Sequence, residues 1–308
     1  MTTRSRAMLR RVIVYPVQGA VAIAFYGLFA ALPLDAASAI GGWLGRTLGP
    51  RHPVSRRAER NLSRIFPDMP VSEIAGILRA MWDNLGRVAA EYPHLRRFRL
   101  YDGGDRVTVI GAEHVDALRE DGKPGIFFSA HFGNWEIVSL GATQRGVPLD
   151  RVYRMPNNPL VAWLFSRGRA AVNGNLLPKG RRSVRPLVQA LRSGRHVGML
   201  VDQKMNDGIS APFLGRPAMT APALAELALK FDCPVVPARV ERLGGARFKL
   251  IIDPPLELQR SGDRHADVAA NMARVNEVIE TWIRARPDHW LWLHNRWPDW
   301  SQERRRKK

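Results

Sequence analysis

Two of the eight histidines are followed, across four intervening residues, by a carboxylate: His131 by Glu136 and His294 by Asp299. A carboxylate that accepts a hydrogen bond from one imidazole nitrogen fixes the tautomer, and the other nitrogen is then placed to take a proton from a substrate hydroxyl. The spacing alone is weak, because eight histidines and 28 carboxylates in 308 residues produce about 0.7 matches by chance. Context separates the pairs. His131 and Glu136 lie in FFSAHFGNWE, residues 127–136, where an apolar run ends, Gly133 can make a tight turn and Asn134 can cap the helix that follows. That turn would bring Glu136 back toward His131 as its orienting carboxylate, with no protein nucleophile required. The plain alternative is a core histidine bonded to a helix start. His294 and Asp299 flank Pro298 among Trp290, Trp292, Trp297 and Trp300, and read as packing.

A base at a strand end needs a sheet beneath it. Apolar positions Ile74, Ile77, Leu78, Met81, Trp82, Leu85 and Val88 follow the helical period and predict a helix over 72–92, capped by Ser72. Strands are expected at 107–110, 125–129, 150–154, 197–202 and 234–240. Helices are expected at 112–119, 134–144, 157–171, 182–193, 220–231 and 266–286. This alternation predicts an α/β fold with a mostly parallel central sheet flanked by helices, whose ligands gather at the carboxyl ends of the strands. Asp202 closes the strand VGMLVD at that edge, where an unpaired carboxylate would be costly. It is expected to hold Arg154 or a neighbouring arginine, in a structural or a catalytic role. Arg154, at another strand end, is read as a cation for an acceptor phosphate or a developing oxyanion.

The remaining patterning concerns surfaces. Forty-seven Lys and Arg against 28 Asp and Glu give +19, which draws the molecule to polyanions. No recognition-helix, RNA-binding or zinc-finger pattern selects nucleic acid. A single cysteine, Cys233, excludes an internal disulfide framework and any multi-cysteine metal site, and reads as a buried apolar residue. Residues 12–34 hold one strongly polar side chain, Gln18, and are long enough to span a bilayer, with arginines on both sides. Spanning and interfacial helices both fit that symmetry, and a signal peptide or a buried core helix stay open. The expected division is an anchor helix with a basic flank over 1–40 and a catalytic domain over 41–308. Arg181, Arg182 and Arg185 read either as a solvated face or as receivers of acceptor phosphates or an acidic protein.

The block HFGNWE resembles the catalytic block of the lipid A biosynthesis secondary acyltransferases, the lauroyl- and myristoyl-type family within the lysophospholipid and glycerolipid acyltransferases. Val152-Tyr153-Arg154 with Asn157-Asn158-Pro159-Leu160 is similar to the family's second block, although Met155 stands before Pro156 where the proline is expected nearer the arginine. Leu200-Val201-Asp202-Gln203 is similar to the third block, residues 212–218 with Thr220 to the following loop, Val235-Val236-Pro237 to the last core block, and PDHWLWLHNRW, residues 287–297, to the C-terminal signature. The resemblance implies a glycerolipid-acyltransferase-like fold. It implies acyl transfer from acyl carrier protein to a hydroxyl of a membrane glycolipid, a lipid A precursor of the Kdo-lipid A type, at the cytoplasmic face of the inner membrane. His131 would act as general base and Glu136 as its orienter, with Asn134, Trp135, Arg154, Arg181, Arg182, Arg185 and Asp202 as substrate-binding residues. No metal and no cofactor beyond the acyl donor are expected. The implied partners are acyl carrier protein, the glycolipid and an anionic membrane surface. Another lipid acceptor, a phosphatidylinositol mannoside or an ornithine lipid precursor, is the nearest alternative, and a non-catalytic basic peripheral membrane protein is the alternative of a different class.

Overall fold

A computed structural model describes residues 10–101, 103–153, 155–178 and 184–297. At its centre is a seven-stranded sheet in the order β1-β9-β8-β2-β5-β3-β4. Its strands are β1 (Val107–Ile110), β2 (Ile126–Ser129), β3 (Leu149–Tyr153), β4 (Leu176–Pro178), β5 (His196–Leu200), β8 (Val235–Gly244) and β9 (Arg247–Ile252). All neighbouring pairs are parallel except β8 with β9. The central strand β2 is buried at every position, which is why IFFS is almost wholly apolar: parallel strands are covered on both faces.

Alternation along β2 sends Ile126 and Phe128 to one face and Phe127 and Ser129 to the other. The first face packs on α8 (Val184–Arg192), α9 (Ala223–Phe231) and α10 (Arg264–Ala285), and Phe128 stacks on Trp282 with ring centroids 6.1 Å apart. The second face meets α5 (Ala112–Glu120) and α6 (Glu136–Gln144), with Phe127, Ile137, Leu140 and Leu149 buried together. Cys233 is buried in the first of these clusters.

The expected strands and helices are all present, with ends moved by a few residues. Several elements were not anticipated. A hairpin of β6 (Ile209–Phe213) and β7 (Arg216–Thr220) forms a separate two-stranded sheet. β9 returns antiparallel on β8, and the three-residue β4 forms the sheet edge.

The N-terminal region differs more. Val12–Ala31 is long and apolar enough to cross a membrane, with mean hydropathy 1.8 and 11% buried. Its α-helix, α1 (Tyr15–Ala31), is followed by α2 (Leu34–Leu48) and the arginine-rich α3 (Ser55–Ile65). The proposed boundary at residue 40 falls inside α2, which lies along α4 (Val71–Glu91). These helices approach closely because Gly45 faces Trp82 backbone: a Cβ at Gly45 would stand 2.1 Å from the Trp82 carbonyl oxygen. α1 is also tied to the domain. Asn158 Nδ2 donates to the Tyr15 carbonyl at 2.8 Å, His94 Nε2 meets the Phe29 carbonyl at 2.8 Å, and Phe29 is buried with Ala37 and Ala90. Removal of residues 1–34 would therefore expose packed apolar surface.

Candidate active site

His131 stands just beyond the C-terminal end of β2, on the sheet edge where the alternation predicts ligands. The turn after it requires Gly133, whose φ is +56° and whose missing Cβ would fall 1.9 Å from the Val240 carbonyl oxygen. A distant segment braces this turn. Leu291 N–H donates to the His131 carbonyl at 3.1 Å, Gly133 N–H to the His289 carbonyl at 3.0 Å, and Phe132 bridges to Trp290. The tail tryptophans Trp290, Trp292 and Trp297 are fully buried, as packing requires, and stand behind the histidine; Trp300 lies outside the described residues.

The carboxylate that holds His131 is Asp202, not Glu136. His131 Nδ1 lies 2.9 Å from Asp202 Oδ1, while Oδ2 accepts from the His131 backbone N–H at 3.0 Å and from Trp290 Nε1 at 2.9 Å. Asp202 is wholly buried. Burial opposes its ionisation, but the charge and hydrogen bond of His131, the charge of His294 and the Trp290 N–H outweigh it and hold the carboxyl well below the ordinary carboxylate range. Asp202 thus receives a histidine rather than the arginine expected for it. The parallel register explains the meeting: Ser129 of β2 lies beside Leu200 of β5, so the residues two positions beyond each strand end are neighbours.

With Nδ1 committed to Asp202, the remaining imidazole nitrogen is Nε2, which already has a side-chain neighbour in Gln203. The Gln203 side-chain nitrogen lies 3.3 Å from it and 3.4 Å from His294 Nε2. The His294 ring centroid is 5.0 Å from that of His131. His294 therefore belongs to the site, against the expectation that it merely packs. It arrives because Asn61 Nδ2 on α3 holds the Trp292 and His294 carbonyls at 3.0 and 3.2 Å. One ligand atom from each of His131, Asp202 and His294 lies within 4.8 Å of the others, a spacing open to a metal ion. In the arrangement described, both Asp202 oxygens are already taken by N–H groups.

Glu136, at the start of α6, faces Arg169 instead. Arg169 Nε donates to Oε2 at 2.9 Å and Nη2 to Oε1 at 2.5 Å, a bidentate pair in which both side chains are nearly buried. The Arg169 guanidinium also lies 4.2 Å from the Tyr153 ring centroid. The expected α6 cap does not form. Asn134 is fully buried and its Nδ2 reaches Glu91 Oε2 at 2.8 Å, which takes it away from any substrate surface. Trp135 remains at the site, its ring 5.1 Å from that of His131. Arg185 is exposed on the first turn of α8, and Arg154, Arg181 and Arg182 lie outside the described residues.

A cavity of about 380 Å³, lined by His131 and Gln203, opens on the second face of the sheet. Phe127, Val138, Leu149 and Leu200 supply apolar wall, while Trp135, Glu136, Arg151 and Arg169 supply its polar side. An imidazole with one nitrogen anchored, lining a largely apolar cavity, can deprotonate a hydroxyl beside a bound acyl chain.

Residues 4–299 match the family described as bacterial lipid A biosynthesis acyltransferase. The lipid A biosynthesis lauroyltransferase of Escherichia coli is 29% identical over 260 residues, 79% of either chain. A phosphatidylinositol mannoside acyltransferase of Mycolicibacterium smegmatis is 23% identical over 90% of this chain and 91% of its own. Among solved structures, the 1-acyl-sn-glycerophosphate acyltransferase PlsC of Thermotoga maritima covers 90% of this chain and 99% of its own, at 12% identity and a TM-score of 0.39. The chain belongs to the bacterial lipid A biosynthesis acyltransferase family, and it is an acyltransferase.

Proposed function

We propose that this protein transfers a fatty acyl chain from the thioester of acyl carrier protein to a hydroxyl of a lipid A precursor of the Kdo-lipid A type, at the cytoplasmic face of the inner membrane. The observation that carries this reading is the His131 imidazole, anchored by Asp202 through Nδ1 at 2.9 Å and lining a largely apolar cavity. The acceptor hydroxyl gives its proton to Nε2 as its oxygen attacks the thioester carbonyl. The tetrahedral intermediate collapses with cleavage of the C–S bond, and the carrier thiolate takes the proton from the imidazolium. Asp202 positions the ring and stabilises its charged form. Glu136 serves the site by fixing Arg169. Val12–Ala31, with a basic flank on α3, would keep the domain on an anionic membrane surface.

The test is transfer in purified membranes from acyl carrier protein thioester to a purified lipid A precursor, read by mass spectrometry as the gain of one acyl chain. His131→Ala should fold and lose about 10²- to 10⁴-fold in kcat, the usual range for removal of a general base, and Asp202→Asn should lose most of the same activity. Wild-type turnover in His131→Ala would falsify the mechanism. The resemblance to a phosphatidylinositol mannoside acyltransferase over 90% of the chain favours one second reading, a mannoside acceptor. Offering both acceptors to the same preparation decides between them.

A further inference from the structure

The wall of the cavity holds more positive charge than it needs. Arg151 lies on β3, beside Gly198 of β5 and on the same face as Leu149 and Tyr153. It is only 9% exposed, yet among the described residues the one hydrogen bond of its side chain is a long one, from Nη2 to the Val172 carbonyl at 3.4 Å, and its buried Nε has no partner there. Arg169, held against Glu136 and packed over the rings of Tyr92, Tyr153 and Phe165, keeps a buried Nη1 with no well-aligned acceptor among the described residues. Both arginines line the same cavity as Glu136. The other carboxylate near Arg151 is Asp150, which alternation turns to the opposite face. There it is occupied by Arg195, at 2.9 and 2.5 Å, and by Asn175. Two nearly buried guanidinium groups thus line a cavity with one carboxylate, and Arg169 occupies both of its oxygens.

A buried charge without a partner is costly, and so is a buried N–H without an acceptor. Burial accordingly disfavours the charged form of Arg151, and the charge of Arg169 adds to that effect. Such a deficit is relieved by an anion with several acceptor oxygens that two planar donors can grip together, which describes a phosphate group.

We infer that Arg151 and Arg169 form a phosphate-binding subsite inside the cavity, in which Arg151 Nε and Arg169 Nη1 supply the unused donors and Glu136 fixes Arg169 in place. The inference rests on the acyl-transfer reading for which substrate brings the phosphate. It could belong to the glycolipid acceptor or to the phosphodiester of the carrier protein's thiol-bearing arm. A subsite of this kind positions the substrate by its phosphate while the hydroxyl and thioester meet at His131.

The experiment has two independent parts on the full chain in detergent. Thermal melts with inorganic phosphate need no turnover. The wild type should gain stability with phosphate concentration as binding to the folded state requires, whereas Arg151→Met should not respond and Arg151→Lys should respond weakly. Because Arg151→Met removes an under-paired buried cation, it should melt no lower than wild type without phosphate. The kinetic part compares KM values. Arg151→Met should raise KM about tenfold for whichever substrate supplies the phosphate, with a much smaller change in kcat, as loss of a binding group predicts. A rise for the phosphorylated glycolipid, absent for the same glycolipid stripped of phosphate, assigns the acceptor; a rise for the carrier thioester, absent for a phosphate-free acyl thioester, assigns the donor. Equal melting responses to phosphate in wild type and Arg151→Met, or equal kinetic losses with phosphorylated and phosphate-free substrates, would overturn the subsite. Failure of the wild type to transfer acyl chains at all would instead overturn the acyl-carrier reading and leave the melts to judge the subsite.

Discussion

Two buried glutamate–arginine clusters lie on either side of the turn that carries His131. Behind the turn, Glu91 of α4 receives Arg242 of β8 through Nη1 at 2.5 Å and Nη2 at 3.0 Å, and also Ser38 Oγ at 2.7 Å and Asn134 Nδ2 at 2.8 Å. Arg242 Nε goes to Asn84 Oδ1 at 2.9 Å, and Asn84 Nδ2 goes on to the Gly133 carbonyl at 3.0 Å. One carboxylate meets one arginine, and each Arg242 nitrogen has a partner. In front of the turn, Glu136 meets Arg169 alone, Arg151 lines the same cavity, and two buried N–H groups have no acceptor among the described residues. The first cluster resembles a structural brace, since its charges cancel and its bonds end on the backbone of the turn. The second resembles a receptor, since its shortage faces a cavity.

The contrast can be broken first at Glu91. Glu91→Ala leaves Arg242 buried without its carboxylate and should destabilise the protein by about 3–5 kcal/mol, read as a lowered melting temperature and a smaller soluble yield. A change well under that size would mean the rear cluster is not a brace.

Glu136→Gln is the matching change in front. The amide keeps the shape but leaves two arginines with no anion, so stability should fall by less than for Glu91→Ala, because the cavity admits water and counter-ions. Transfer should fall further than stability, about tenfold or more in kcat/KM as Arg169 loses its fixed position. Added phosphate should close part of the melting gap to wild type in Glu136→Gln and none of it in Glu91→Ala, whose intact front cluster gains only what wild type gains; equal behaviour of the two variants would erase the distinction between brace and receptor.

The smallest effect expected is a pH slope behind the turn. His94 is buried against the Phe29 carbonyl; burial pushes its pKa down and outweighs the hydrogen bond that raises it. A histidine whose folded pKa is lowered binds its proton more readily when unfolded. Stability from this residue is thus present above the ordinary histidine value near 6.5 and declines as pH falls below it. Melts between pH 7.5 and 5.5 should show that decline, and His94→Gln should flatten it, whereas an unchanged slope in the variant would assign the decline to other groups.

Much of this molecule was legible in its residues. The period-2 and period-3.6 patterns located the strands and helices because they record which side of each element meets the core. Gly133 could be read as a forced turn, and that turn as the place for a histidine at a strand end. The hairpin 209–220 and β9 were not legible, since their pairing depends on partners found only in the fold. The helices α2 and α3 were not anticipated either; their places are set by Gly45 against the Trp82 backbone and by α3 against the C-terminal tail.

The sequence by itself determined the sheet and the strand-end turn on which His131 stands, because both depend on residue type and short-range periodicity. Only the tertiary structure decided which carboxylate serves His131. Glu136 is five residues away along the chain, but the first turn of α6 points it across the cavity mouth to Arg169. Asp202, seventy-one residues away, arrives because β5 lies in register beside β2. His294 was likewise delivered from the far end of the chain by Asn61 and the tail. Sequence spacing measures distance along a chain, whereas a hydrogen bond needs distance in space, and between neighbouring parallel strands that distance is set by register.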